Sequence, residues 1–298
     1  PPAPRTLFLP PTPAPRPPAM NRRTLSIALR RFPNTPAMRR PALAPPPAWP
    51  VSQWARTALA FHPDPLQAQI LDSPAQRLIL LCCRQFGKST LAAIKALHFA
   101  LSRPHSTVLC VSPTLRRSTE WLRIVRNFLS TLATPHGPAI ASPPAPLHLT
   151  AHSLTLPNHA RILALPGAAH TNRGYSAHLI LFEEAAFIPD PVFTALLPSL
   201  AATGGALWLV SSAGQPAGFF YDIWSRPATG YARFQATAAQ CPRISAEHLE
   251  EARLALGEHR FRREYFCEFS PDALPIFSPE LLDSALDDSL DPWLLEAA

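Results

Sequence analysis

The chain has 298 residues, of which 47% are hydrophobic and 16% are charged, so it has enough apolar length to bury a core and is not disordered as a whole. Its five cysteines are odd in number, and Cys82 and Cys83 are adjacent, which excludes a disulfide scaffold and favours reduced thiols in a cytoplasm-like compartment. No apolar run approaches the roughly 18 residues of a membrane-spanning helix, and proline and arginine interrupt every apolar run near the N-terminus, so no secretory signal is expected.

The first 50 residues differ in composition from the rest of the chain. They hold 16 of the 38 prolines and eight arginines without an acidic residue, so the net charge of +7 resides here and the remaining chain is nearly neutral. Because proline cannot donate backbone hydrogen bonds, we expect a disordered tail over residues 1–53. This tail could be a dispensable leader or an arm that binds polyanions. Since the chain starts at Pro1, it is expected to be a fragment or a reading frame extended upstream of Met20 or Met38.

From about Trp54 the pattern becomes that of a globular domain, expected over residues 54–270. The continuous apolar run Leu78–Cys83 is typical of a buried parallel strand, and a helix is expected at Lys88–Leu101. The elements expected further along are a strand at 107–111, a helix at 114–132, a hairpin around Pro157-Asn158, strands at 179–182 and 206–210, and two helices within 246–267. Strands that alternate with helices predict an α/β fold with a mainly parallel sheet flanked by helices.

The first strand runs into Cys-Cys-Arg-Gln-Phe-Gly-Lys-Ser-Thr at residues 82–90, and a helix follows at once. This order is typical of the phosphate-binding loop of a P-loop NTPase, because N–H groups at a helix N-terminus point at phosphate oxygens. Lys88 would place its charge on the β- and γ-phosphates, Ser89 would ligate Mg²⁺, and Gly87 would let the backbone approach closely. The full pattern has a glycine where Cys82 stands, and the alternative is a helix that merely begins with Lys-Ser-Thr. The loop residues expected to contact nucleotide are Arg84, Gln85, Phe86, Gly87, Lys88, Ser89 and Thr90.

Two adjacent carboxylates, Glu183 and Glu184, follow the buried run Leu179–Phe182. A buried carboxylate is costly unless it has a role. In a P-loop enzyme the first acid holds Mg²⁺ and the second activates the attacking water. The alternative is a strand end that emerges into solvent with two exposed acids.

Together these motifs resemble the ATPase domain of phage terminase large subunits, the DNA-packaging motors, over roughly residues 60–290. The resemblance rests on stretches that occur in the family's order: Asp64-Pro65-Leu66-Gln67, residues 83–90, 111–120, 171–175, 183–190, 211–214 and 261–268. It implies ATP hydrolysis, with Mg²⁺, coupled to the translocation of double-stranded DNA. It also implies a small terminase subunit and a portal protein as partners, a homo-oligomeric ring, the host cytoplasm as the location, and no membrane.

The resemblance assigns roles to single residues. It implies that Gln67 contacts adenine, that Arg84 stabilises charge on the transferring phosphoryl group in cis, and that Ser211 and Ser212 sense the γ-phosphate. The alternatives are a helix-surface glutamine, a surface arginine and a serine-rich strand end. The expected catalytic residues are Glu184, Arg84 and Lys88, and the expected Mg²⁺ ligands are Ser89 and Glu183.

Two departures from the family pattern stand out. Glu183 occupies a position that is usually aspartate, and the extra methylene could slow or abolish catalysis. The chain also ends near the point where a nuclease domain would begin, so residues 271–298 are interpreted as a linker and acidic segment. Its acids are interpreted as solvated rather than as nuclease ligands, and no nuclease activity is expected: Asp283, Asp287, Asp288 and Asp291. The alternative function is a catalytically weak or inactive prophage relic or split-gene subunit that binds nucleotide or partner proteins.

Four arginines lie on the helix expected at 114–132, opposite its apolar stripe. They could contact DNA or could simply form a solvated face: Arg116, Arg117, Arg123 and Arg126.

Overall fold

The computed structural model describes residues 46–132, 148–168, 174–226 and 230–271, all within the compact unit Pro41–Ala298. The expectations for residues 1–45, for Thr171–Arg173 and for the four C-terminal aspartates lie outside these ranges. Within the described part, no helix has the length and apolar character needed to cross a bilayer.

The described residues form eight strands and eight α-helices, numbered here in chain order. The strands are β1 (Arg77–Cys82), β2 (Thr107–Ser112), β3 (His148–Leu149), β4 (Ser153–Thr155), β5 (Arg161–Pro166), β6 (Leu179–Glu183), β7 (Ala206–Ser211) and β8 (Ala232–Ala236). The helices are α1 (Val51–Leu59), α2 (Pro65–Asp72), α3 (Lys88–Ser102), α4 (Leu115–Thr131), α5 (Asp190–Leu196), α6 (Phe219–Ser225), α7 (Ala246–Leu256) and α8 (Glu258–Phe266).

The strands form one sheet in the order β3-β4-β5-β2-β6-β7-β1-β8. Every pairing from β5 to β8 is parallel, whereas β3, β4 and β5 pair in antiparallel fashion, with β4 and β5 as the predicted hairpin. The α/β class and the mainly parallel sheet are therefore confirmed. Because the carboxyl ends of parallel strands meet at one edge, Cys82, Ser112, Glu183 and Ser211 share the edge at which such folds bind ligands.

The helix boundaries follow from local sequence signals. Asp64 begins α2 with a capping box, since its side chain accepts from the Gln67 N–H while the Gln67 side chain accepts from the Asp64 N–H. Thr114 caps α4 through the N–H of Arg117. The expected boundary at Trp54 is wrong, because α1 already begins at Val51 and takes in part of the predicted tail.

The core contains the apolar strands β1, β6 and β7 and the helices packed on them. Trp54 of α1 is 1% exposed and meets the ring of His98 edge to face at 5.1 Å. The second of the two lysines, Lys95, donates from Nζ to the carbonyls of Leu71 and Ser73 at 3.1 and 3.3 Å. Lys95 therefore closes the C-terminal end of α2 against α3, and burial lowers its pKa to about 8.

Candidate functional site

The predicted phosphate loop lies between β1 and α3. Gly87 is the residue before α3 and adopts φ +95°, a conformation that L side chains rarely adopt. No side chain caps the first turn of α3, so its N–H groups remain available to an anion. Lys88 is the first residue of this helix and is buried, as expected of a lysine held inside a site rather than on a surface.

The two predicted acids stand directly across from Lys88. Glu183, the last residue of β6, is 6% exposed and accepts a hydrogen bond from the Ser112 hydroxyl at 3.1 Å. Glu184 has a left-handed backbone, with φ 55°, and this turn aims its carboxylate at the loop. Its Oε1 lies 3.4 Å from Lys88 Nζ, and its Oε2 accepts from the Ser212 hydroxyl at 3.3 Å. The interpretation of this pair as exposed acids at a strand end is therefore wrong.

Burial and charge act against each other at this pair of strand ends. Burial alone would lower the pKa of the Lys88 ammonium, but the negative charges of Glu184 and Glu183 raise that pKa above its usual value. Burial raises the pKa of Glu183, although hydrogen bonds with Ser89 and Ser112 act in the opposite direction. The site therefore combines a firmly charged ammonium with a carboxylate that lacks a full set of partners.

The oxygen atoms beside Glu183 fit a magnesium ion. The hydroxyl of Ser89 and the carboxylate of Glu183 interact, so both are within reach of one cation. Mg²⁺ prefers oxygen ligands and typically takes one or two from the protein, with substrate phosphates and water supplying the rest. The described residues contain no larger cluster of His, Cys, Asp or Glu suited to a metal, so this pair is the candidate.

Arg84 does not point across the cleft in this structure. Its guanidinium bonds the Glu264 carboxylate of α8, with Nε to Oε2 at 2.6 Å and Nη2 to Oε1 at 3.3 Å, while its backbone N–H donates to the Glu264 carbonyl. These two contacts on Glu264, led by the side-chain hydrogen bond, raise the pKa of Arg84. Because the Arg84 side chain is 63% exposed, it can change partner at a small cost.

Gln67 lies behind the loop, and both ends of its amide already have partners. Its Nε2 donates to the carbonyl of Phe86 at 2.7 Å, and its Oε1 accepts from the backbone of Asp64 at 3.1 Å. The side chain is 2% exposed, so the alternative of a helix-surface glutamine is wrong. The structure thus gives Gln67 a role in supporting the loop, whereas its contact with adenine stays a prediction.

The other predicted residues surround this centre. Ser211 is buried and accepts from the N–H of Ala186, so it holds the turn after Glu184. Gln85 lines the cleft, the side chain of Phe86 is fully buried in the core, and Thr90 is half-buried in the first turn of α3. Phe86 can therefore meet a ligand only through its backbone.

A cleft of about 1160 Å³ opens in front of Lys88 and Glu184. Three of the four predicted arginines, Arg116, Arg117 and Arg123, line it, and Arg117 Nη1 lies 3.9 Å from Glu184 Oε1. Arg126 instead donates to the carbonyl of Thr150 beside the hairpin, so the four do not act as one group.

Sequence reasoning missed two residues of this site, Ser112 and Glu264. Ser112 ends β2, and its position at the carboxyl edge of a predicted parallel strand was a usable signal. Glu264 carried no such signal, because its partner Arg84 is 180 residues away along the chain.

The parallel sheet, the strand–loop–helix at Lys88 and the acids at the end of β6 define an α/β P-loop NTPase. Residues 79–283 match the family described as terminase large subunit, T4likevirus-type, N-terminal. This match spans more than half of the chain, and the chain therefore belongs to the terminase large subunit family, of which it contains the ATPase domain. No curated protein sequence matches the chain.

Solved structures share the fold. The large terminase ATPase domain of Thermus phage P74-26 superposes with a TM-score of 0.61 at 19% identity, covering 74% of this chain and 98% of that chain. The bacteriophage HK97 large terminase gives 0.58 at 16% identity, covering 74% of this chain and 55% of its own. A large terminase from a thermophilic bacteriophage, solved in complex with ADP, gives 0.55 at 12% identity, covering 74% and 52%.

Proposed function

We propose that this chain hydrolyses ATP and that hydrolysis drives the translocation of double-stranded DNA. The observation that carries the proposal is the approach of Lys88 Nζ to Glu184 Oε1, 3.4 Å across a cleft whose floor is an uncapped helix N-terminus. A charged ammonium, free N–H groups and a carboxylate facing them are the parts that phosphoryl transfer to water requires.

Each charged group has a distinct role in this mechanism. The γ-phosphate of bound ATP takes the place of Glu184 as the partner of Lys88, whose raised pKa keeps the ammonium charged. Glu184, released from Lys88, orients the attacking water and accepts its proton. Ser212, bonded to Glu184, passes the change in the carboxylate's position to the end of β7. When bound, Mg²⁺ neutralises phosphate charge, and Ser89 and Glu183 would hold it.

Arg84 would complete the site by exchanging Glu264 for the phosphate. A guanidinium beside the γ-phosphate offsets the charge that develops during transfer. Since Arg84 is more than half exposed, its ion pair with Glu264 is weak enough to yield to a nucleotide.

The DNA-related part of the proposal rests on the family. Arg116, Arg117 and Arg123 offer positive charge at the mouth of the cleft, where a duplex or a neighbouring subunit could meet it. A ring of such chains, working with a small terminase subunit and a portal protein in the host cytoplasm, is the assembly that we propose.

Phosphate release with and without duplex DNA tests the proposal. The wild-type chain should hydrolyse ATP, faster with DNA, and Lys88→Ala should lower turnover at least about a hundredfold because the main positive charge is lost. Arg253→Ala, which changes an exposed arginine paired with Glu258, should behave as wild type. Equal hydrolysis by the wild type and Lys88→Ala would mean that the assigned site is wrong.

Glu183→Gln separates a catalytic role from a structural one. The substitution keeps the shape but removes a buried charge whose pKa is raised by burial. Turnover should therefore fall while the melting temperature stays at or above that of the wild type. A lower melting temperature with unchanged turnover would make Glu183 a structural residue.

A further inference from the structure

The carbonyl of Phe86 is the one loop feature whose surroundings the proposed mechanism does not use. Phe86 directly precedes Gly87, and its carbonyl oxygen accepts two side-chain hydrogen bonds on the side away from the core-facing ring. Gln67 Nε2 donates at 2.7 Å, and Arg243 Nη2 donates at 2.8 Å. Arg243 belongs to the segment between β8 and α7, more than 150 residues along the chain from the loop.

Arg243 is held in place by the residue that begins α2. Its Nη1 pairs with Asp64 Oδ2 at 3.0 Å, while Asp64 Oδ1 accepts from the Gln67 N–H at 2.8 Å. The Asp64 N–H in turn donates to Gln67 Oε1 at 3.1 Å. Asp64, Gln67, Arg243 and the Phe86 carbonyl therefore form a closed set of contacts in which each member fixes its neighbours.

A fixed carbonyl also fixes the next N–H. The peptide bond between Phe86 and Gly87 is planar and trans, since the chain contains no cis peptide bond among its described residues, so this carbonyl and the Gly87 N–H point in opposite directions. Donors that hold the carbonyl on the α2 side turn the Gly87 N–H toward the opposite side. Gly87 can complete the turn because its φ of +95° is open to glycine.

We propose that Arg243 is a positioning residue of the phosphate loop, which with Gln67 holds the Phe86 carbonyl turned away so that the Gly87 N–H faces the phosphates. The inference rests on the proposed function of the same site. Arginine suits the task because its planar fork binds Asp64 and the carbonyl at once, whereas lysine offers a single charged nitrogen.

Nucleotide affinity, measured apart from stability, tests this role. A fluorescent ATP analogue with Mg²⁺ is titrated into the full chain, and melting temperatures are taken without nucleotide. Arg243→Met should raise the Kd about tenfold, the loss expected for one hydrogen bond from a charged donor, and Arg243→Lys should fall between Met and wild type. Arg253→Met, an exposed arginine away from the loop, should leave the Kd unchanged.

The shared carbonyl gives a second readout. Because Gln67 and Arg243 hold the same oxygen, the effects of Gln67→Met and Arg243→Met on the Kd should not add. If Arg243→Met fails to fold, Arg243→Lys and Asp64→Asn should show the same rise at smaller size. A wild-type Kd in the folded Arg243 variants, even with a lower melting temperature, would overturn the inference and leave Arg243 a structural tie.

The titration also separates the two proposals. If the wild type binds no analogue, or if Lys88→Ala binds it as well as the wild type, the proposed function fails and the inference falls with it. If the wild type binds and Lys88→Ala does not, while Arg243→Met binds normally, only the inference is overturned.

Discussion

Replacing Gly87 with alanine is the most direct test of the loop's geometry. At φ +95° an alanine sits in a left-handed conformation, at a cost of about 1–2 kcal/mol. Its Cβ would also lie 3.1 Å from Gln67 Nε2, so the amide must shift and weaken its 2.7 Å hydrogen bond to Phe86, at about 0.5–1.5 kcal/mol more. We expect the free energy of unfolding to fall by about 2–3 kcal/mol, with weaker nucleotide binding.

Urea unfolding followed by circular dichroism measures both parts of this cost. Gly204→Ala is the matched control, since Gly204 also has a positive φ, +59°, but a Cβ there meets nothing within 4 Å. The control should lose about 1 kcal/mol from backbone strain alone. In a Gln67→Ala background, Gly87→Ala should cost less than in the wild type because the contact is gone. Equal losses for Gly87→Ala and Gly204→Ala would refute the argument from the contact.

Two further predictions address the ion pair and the buried histidine. Glu264→Gln should lower the KM for ATP severalfold in steady-state assays, because Arg84 is released toward the phosphate; the stability loss should be about 1 kcal/mol or less, and a raised KM would show that the pair supports the loop instead. Burial, with Lys95 and Arg103 nearby, lowers the pKa of His98 to about 4. The neutral ring is favoured in the fold, so stability is complete above about pH 6.5 and is lost as the pH falls toward 4, by at most about 3 kcal/mol. His98→Phe should remove this part of the acid sensitivity in unfolding curves at pH 4.5 and 7, and an identical pH dependence would contradict it.

Continuous apolar runs predicted the central strands because a strand covered on both faces must be apolar along its whole length. The spacing of apolar residues likewise predicted α3 and α4, whose bounds fall within one residue of those expected. Strand β8 was not predicted. Its residues are mostly half-exposed at the edge of the sheet beside β1, so neither a continuous run nor an alternating pattern marks it.

The site was predictable where its residues are neighbours in sequence. Gly87, Lys88 and Ser89 follow one strand, and Glu183 and Glu184 follow another, so two short motifs were enough to expect that they meet. The left-handed backbone of Glu184 was not predictable, because non-glycine residues seldom adopt it and only the packed turn imposes it.

The amino-acid sequence alone determined the α/β class, the phosphate loop and the acids that face it, since these depend on local periodicity and on the order of a strand, a loop and a helix. Only the tertiary structure decided which partner each charged side chain takes. Arg84 turned out to meet Glu264, and Arg243 to meet Asp64 and Phe86, across separations of more than 150 residues. Such pairs form when the sheet brings distant loops to one edge, and no local pattern encodes that approach.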